Sequence, residues 1–131
     1  MSTEFKNKNV LIVDDSIVRG TTSKQIVQMA KDAGANKVFF TSAAPPVRFP
    51  HVYGINMPNR DELIAHDRTI SEIADHLEID NLVYQSVESL RKSIISESPI
   101  KDLEMSCFTG SYVTGTVNQE YLNWVENEYK S

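Results

Sequence analysis

A chain of 131 residues with 40% apolar and 24% charged residues has the make-up of one ordinary globular domain, and its formal net charge of −5 argues against general attraction to nucleic acid or an anionic membrane surface. The single cysteine, Cys107, rules out an intrachain disulfide and a zinc centre built of thiolates. No apolar run reaches the roughly 18 residues of a membrane span, and the opening MSTEFKNKN lacks the apolar stretch of a secretory signal, so a reducing cytoplasmic setting is expected.

Val10-Leu-Ile-Val13 is a continuous apolar run, the pattern of a strand covered on both faces in a parallel sheet. Thr21 or Thr22 then caps a predicted helix that runs to about Ala33 and stops at Gly34. Lys37–Ser42 is a second strand, which makes a βαβ unit with a right-handed crossover. The segment 43–58 is rich in proline and reads as loop, with a short extended piece near His51–Tyr53. Asn59 is placed to cap a short helix over 60–65, and Thr69 to cap another over 70–77, with Glu72 completing a capping box. Leu82–Gln85 is a third strand, followed by a helix over 87–96 opened by Ser86. Residues 103–114 read as extended, with turns at Gly110 and Gly115. Asn118 is placed to cap a last helix, 119–128, with Tyr121, Leu122, Trp124 and Val125 on its apolar face. The fold class is α/β, three-layered, with a mostly parallel sheet. Three strands make a small sheet, so this is either a compact domain or part of a larger one.

The stretch VLIVDDSIVRGTT, residues 10–22, holds the chemistry. Asp14 and Asp15 follow the apolar run directly. The plain reading is a solvated turn at a strand end. A receiver domain of the response-regulator kind also opens with such a pair. However, its phosphoacceptor position falls on Gly54, which has no oxygen nucleophile, and Arg19-Gly-Thr-Thr22 has no task there even though Lys101 is suitably spaced. A ribose-phosphate cradle employs the whole stretch. Two carboxylates accept from vicinal ribose hydroxyls, directly or through Mg²⁺. The N–H groups of Arg19, Gly20, Thr21 and Thr22 at a helix start, with the hydroxyls of Ser16, Thr21 and Thr22, receive a 5′-phosphate without net positive charge. A site beyond the carboxyl end of a strand is where open α/β sheets bind ligands.

Four apolar residues, two acidic ones and a small-residue loop closely resemble the phosphoribosyl pyrophosphate (PRPP) motif of the type I phosphoribosyltransferases. The narrower form Val-Asp-Asp-Ser-Ile-Val-Arg-Gly-Thr-Thr resembles the glutamine PRPP amidotransferases. Supporting stretches follow in order: Ser42-Ala-Ala-Pro45, Arg48-Phe-Pro50, Tyr53-Gly-Ile55, Met57-Pro58, Glu62-Leu-Ile-Ala65, Tyr112-Val-Thr114 and Tyr121-Leu122. The resemblance implies part of a type I phosphoribosyltransferase fold, with residues 1–131 as the carboxy-terminal portion of that domain. Neither the family's amino-terminal glutaminase domain nor its upstream pyrophosphate and catalytic loops have a counterpart here, so an isolated chain of this kind is expected to be inactive.

By resemblance, Asp14 and Asp15 are the catalytic carboxylates and the Mg²⁺ ligands. Ser16, Arg19, Gly20, Thr21 and Thr22 hold the 5′-phosphate of PRPP or of an inhibitory purine nucleotide. The parent reaction makes 5-phosphoribosylamine from PRPP and glutamine-derived ammonia, the first committed step of purine synthesis. A homo-oligomer is implied, with neither nucleic acid nor membrane as partner. The alternative is a non-catalytic PRPP- or nucleotide-binding regulatory domain on the same fold. Some relatives hold a structural iron–sulfur cluster on four cysteines. His51 and Glu104 stand where two of those are expected, which leaves Cys107 alone, and one thiolate holds no cluster. Asn56 replaces an aspartate frequent in the family, which puts an ion pair at that point in doubt. Outside the motif, the residues have structural readings. Cys107 reads as a core thiol, Glu62 and His66 as a solvated pair, Arg48 as a loop anchor or cleft residue, and Tyr121 and Trp124 as core or subunit interface.

Overall fold

The computed structural model describes residues 2–54 and 59–128, with side chains from residue 4 onward. Asn56, Met57 and Pro58 lie outside the described residues, and so do the expectations attached to them. The elements in order are α1 (Ser2–Phe5), β1 (Asn9–Asp14), α2 (Thr21–Asp32), β2 (Lys37–Ser42), a 3-10 turn (Arg60–Glu62), α3 (Ile70–Leu77), β3 (Asn81–Tyr84), α4 (Val87–Ser96), α5 (Ser106–Thr109) and α6 (Gln119–Glu128).

The three strands form one parallel sheet in the order β1-β2-β3. Val10 pairs with Val38, Ile12 with Phe40, and Phe40 in turn with Leu82. Side chains alternate across a strand, so Val10, Ile12, Val38, Phe40 and Leu82 share a face. Helices α2 and α3 cover it. Val27 and Ala30 of α2 and Ile73 and Leu77 of α3 join Val38, Phe40 and Leu82 in a buried core, which Ile17, Ile64 and Ala65 close from the loops. Each of the larger of these side chains removed from water contributes about 1.5–3 kcal/mol. The core therefore fixes the two loops that carry Ile17 and Ile64 as firmly as it fixes the helices.

The expectation that β1 is covered on both faces is corrected. Leu11 is 62% and Val13 70% exposed, and Val83 on the same face is 55% exposed. The layer of helices over Val38 and Phe40 has no counterpart over Leu11 and Val13 among the described residues. Among the described residues β1 is also an edge strand, and β2 is the central one. An apolar run alone does not say which of its residues find a cover.

Local signals elsewhere translate directly. Thr69 Oγ1 accepts from the Glu72 N–H at 3.2 Å and Glu72 Oε2 accepts from the Thr69 N–H at 2.7 Å, the reciprocal bonds of a capping box. Ser86 Oγ accepts from Ser89 N–H at 3.1 Å to start α4, and Asn118 Oδ1 accepts from Tyr121 N–H at 2.9 Å at the start of α6. Two expectations fail. The helix over 60–65 is only the 3-10 turn, because Ile64 N–H is recruited by the Val18 carbonyl at 2.9 Å and Leu63 turns extended. Residues 103–114 are not extended throughout. Glu104 Oε1 accepts from Ser106 N–H at 2.9 Å, the short helix α5 follows, and Gly110 ends it in the left-handed region at φ 73°.

Candidate functional site

Asp14 ends β1 and Asp15 follows it. Their backbone carbonyls accept from Ala43 N–H at 3.0 Å and Ala44 N–H at 2.8 Å, which fixes the turn against the end of β2. Asp14 Oδ1 accepts from Asp15 N–H at 2.9 Å, and Asp15 Oδ1 accepts from Ser16 Oγ at 3.0 Å. One oxygen of each carboxylate is thereby oriented. Among the described residues no lysine, arginine or histidine pairs with either aspartate. Two adjacent carboxylates without a protein counter-ion are a ready acceptor set for hydroxyls or a hard cation.

Ile17 is buried and draws the loop back toward the core. Gly20 then starts α2, with φ 78° and ψ −6° and no side chain to cap the helix. This corrects the placement of the cap at Thr21 or Thr22, since Thr21 is already the first helical residue. The consequence for binding is direct. The first N–H groups of a helix have no intrahelical acceptor, and here no side chain takes them. Among the described residues, no protein acceptor meets the N–H groups of Arg19, Gly20, Thr21 or Thr22. The four residues line a cleft of about 320 Å³, together with Asp14, Asp15, Ser16, Val18 and Ser23. All seven site residues expected from the sequence line this one cleft. Val18 and Ser23 were not expected to. Only their places in the chain, next to Arg19 and Thr22, hinted at them.

Two residues far along the chain complete the loop's support. Gly20 lies against Ile64 so closely that a Cβ there would run into Ile64 Cδ1. Arg19 Nε donates to Glu62 Oε2 at 2.7 Å. The expected Glu62–His66 pair is therefore replaced: Glu62 turns to Arg19, and His66 lies 3.3 Å from Asp67. Opposite charges were the only hint in the sequence, and 43 residues separate them.

No family model matches the chain. Over 126 residues it is 54% identical to the amidophosphoribosyltransferase of Haemophilus influenzae, a match that covers 95% of this chain and 25% of that protein. The amidophosphoribosyltransferase of Saccharomyces cerevisiae is 49% identical over 131 residues, covering 100% of this chain and 25% of its own length. Among solved structures, the glutamine PRPP amidotransferase from B. subtilis complexed with ADP and GMP superposes with a TM-score of 0.77 at 39% identity, over 86% of this chain and 25% of that one. Nearly the whole chain matches a part of the amidophosphoribosyltransferases. It spans about a quarter of the length of the relatives it matches. Its parallel α/β sheet is part of the type I phosphoribosyltransferase fold.

The other residues singled out have structural work. His51 Nε2 and Glu104 Oε2, expected at two cluster-cysteine positions, lie 3.1 Å apart. Burial acts to raise the Glu104 carboxyl, but its bonds with Ser106 and the nearby His51 outweigh that and hold it below the usual carboxylate value. Cys107 is half-buried, and burial, helped by the Glu104 charge, pushes its thiol up, which keeps it protonated and unreactive. Arg48 is the loop anchor: its Nη1 donates to the carbonyls of Ala65 at 2.7 Å and Arg68 at 2.9 Å. Arg60 holds α6 through Glu126, with Nε to Oε1 at 2.6 Å and Nη2 to Oε2 at 2.9 Å. In α6 itself, Trp124 is 58% and Tyr121 40% exposed, so neither is core.

Proposed function

We propose that this chain supplies the ribose-5-phosphate half of an amidophosphoribosyltransferase active site, as the carboxy-terminal portion of the transferase domain. The parent reaction joins ammonia, released from glutamine by a glutaminase domain, to C1 of PRPP. The C–N bond forms as the C1–O bond to pyrophosphate breaks, giving 5-phosphoribosylamine and pyrophosphate. The single observation that supports this most is the pairing, at one cleft, of two carboxylates without a protein cation and a helix start without a side-chain cap.

In this reading the uncapped N–H groups and the hydroxyls of Thr21 and Thr22 bind the 5′-phosphate, and the helix dipole adds to the attraction. Asp14 and Asp15 accept from the ribose hydroxyls and orient the ring. Their negative charge also stabilises the positive charge that develops at C1 as the leaving group departs. The donor set fits Mg²⁺. It offers carboxylate oxygens only, with the second oxygen of each aspartate still open, and Mg²⁺ keeps most of its shell from water and substrate oxygens. When bound, the ion supplies charge for the diphosphate. A purine nucleotide has the same ribose-phosphate end and competes for the same place. ADP and GMP in the B. subtilis relative are in keeping with this. The setting is cytoplasmic and the assembly a homo-oligomer.

The test is a titration of the 131-residue chain with ribose 5-phosphate and Mg²⁺, followed by amide NMR. The amides of Arg19–Thr22 should shift, with weak affinity. Asp14→Asn and Asp15→Asn should weaken binding while leaving the fold intact, since neither carboxylate supports a neighbour that asparagine could not. Equal binding by both variants would remove the role assigned to the aspartates.

A further inference from the structure

Resting on that reading of the cleft, we propose that Glu62 is the positioning residue for Arg19, holding its guanidinium where it meets the phosphate of a ribose 5-phosphate ligand.

Arg19 sits at the crest of the loop with 54% of its side chain exposed. A long side chain so exposed samples many rotamers, and ordering it on ligand binding costs affinity. The structure supplies the order in advance. Residues 62–64 lie along the loop as a brace: Ile64 N–H donates to the Val18 carbonyl at 2.9 Å, and the Ile64 side chain abuts Gly20. Glu62 therefore sits at a fixed height beside Arg19, and its Oε2 accepts from Nε at 2.7 Å. This bond uses one edge of the guanidinium. Among the described residues no protein acceptor meets the two Nη nitrogens. Those are the donors that pair with phosphate oxygens in a fork. Arg19 lines the same cleft as the uncapped N–H groups of Gly20, Thr21 and Thr22.

The Glu62 charge itself opposes an anionic ligand, so positioning and charge act in opposite directions. Glutamine at 62 separates them: Glu62→Gln drops the charge and keeps an oxygen that accepts from Nε, whereas Glu62→Ala drops both. If Glu62 positions Arg19, E62A binds ribose 5-phosphate about two- to fivefold more weakly than E62Q, the scale of an exposed ion pair. In an Arg19→Ala background the two should bind alike, because the group being positioned is gone.

The experiment is an NMR titration with ribose 5-phosphate and Mg²⁺ of the wild type, E62Q, E62A, R19A and the two double variants, read at the Thr21 and Thr22 amides. A gap between E62Q and E62A that vanishes without Arg19 supports the proposal. Equal binding by E62Q and E62A in the presence of Arg19, with the wild type still binding, overturns the positioning role and leaves the cleft reading standing. A gap that persists without Arg19 also overturns it, since Glu62 would then act through the brace alone. No binding by the wild type overturns the cleft reading and the positioning role together.

Discussion

Gly20→Ala tests the loop at the point where backbone and packing meet. Two costs add. Gly20 has φ 78°, in the left-handed region, where a residue with a Cβ loses roughly 1–2 kcal/mol. The new Cβ also runs into Ile64 Cδ1. That methyl is the end of a flexible side chain, which favours relief by rotation. But Ile64 is only 2% exposed, so rotation must displace core neighbours, and overpacking of this kind costs about 1–3 kcal/mol. We take the lower end for the steric part and expect G20A to lose about 2–3 kcal/mol of unfolding free energy. Ile64→Val alone removes the offending methyl and should cost about 1 kcal/mol as a buried deletion. In the double variant the worst of the collision is gone and only the tighter contact with the remaining γ-carbon stays, so I64V should cost nothing further or recover about 1 kcal/mol. The assay is urea unfolding of all four proteins with m compared throughout. A G20A loss under about 0.5 kcal/mol, or strict additivity of the two changes, would refute the close contact and with it the claim that Ile64 sets the shape of this loop.

Further outcomes follow from features outside the cleft. Arg60→Ala should free α6, costing about 1–2 kcal/mol and speeding amide exchange across 119–128. The Arg60 hydrogen bond holds the Glu126 carboxyl below its ordinary 4.5, so the contact contributes fully above that pH and is lost as pH falls through the lowered value, and exchange in α6 that ignored acid below 4.5 would contradict the assignment. The open sheet face predicts concentration-dependent association of the chain, reduced by Leu11→Lys with Val13→Thr, in sedimentation velocity; a monodisperse wild-type monomer at high concentration would show that the exposed apolar face does not drive pairing.

Structure decided within a few residues was readable from the sequence. The capping box at Thr69 and Glu72, the Ser86 and Asn118 caps, the strand 37–42 and the gathering of Asp14 through Thr22 at one strand end all depend on neighbours in the chain. Local hydrogen bonds and hydrophobic period determine them. Composition could not say that β2 is the central strand, because Val10–Val13 is as apolar as any core strand. Which of its side chains are covered depends on where α2 and α3 pack. The shortened turn at 60–62 and the Arg19–Glu62 and Arg60–Glu126 pairs join residues more than 40 positions apart. Such contacts form only once the core has brought Ile17 and Ile64 together. All the residues that line the cleft except Ser23 thus fall within thirteen consecutive residues of the sequence, while the brace beside it comes from a segment whose local signal pointed to a helix and which burial placed instead against the loop.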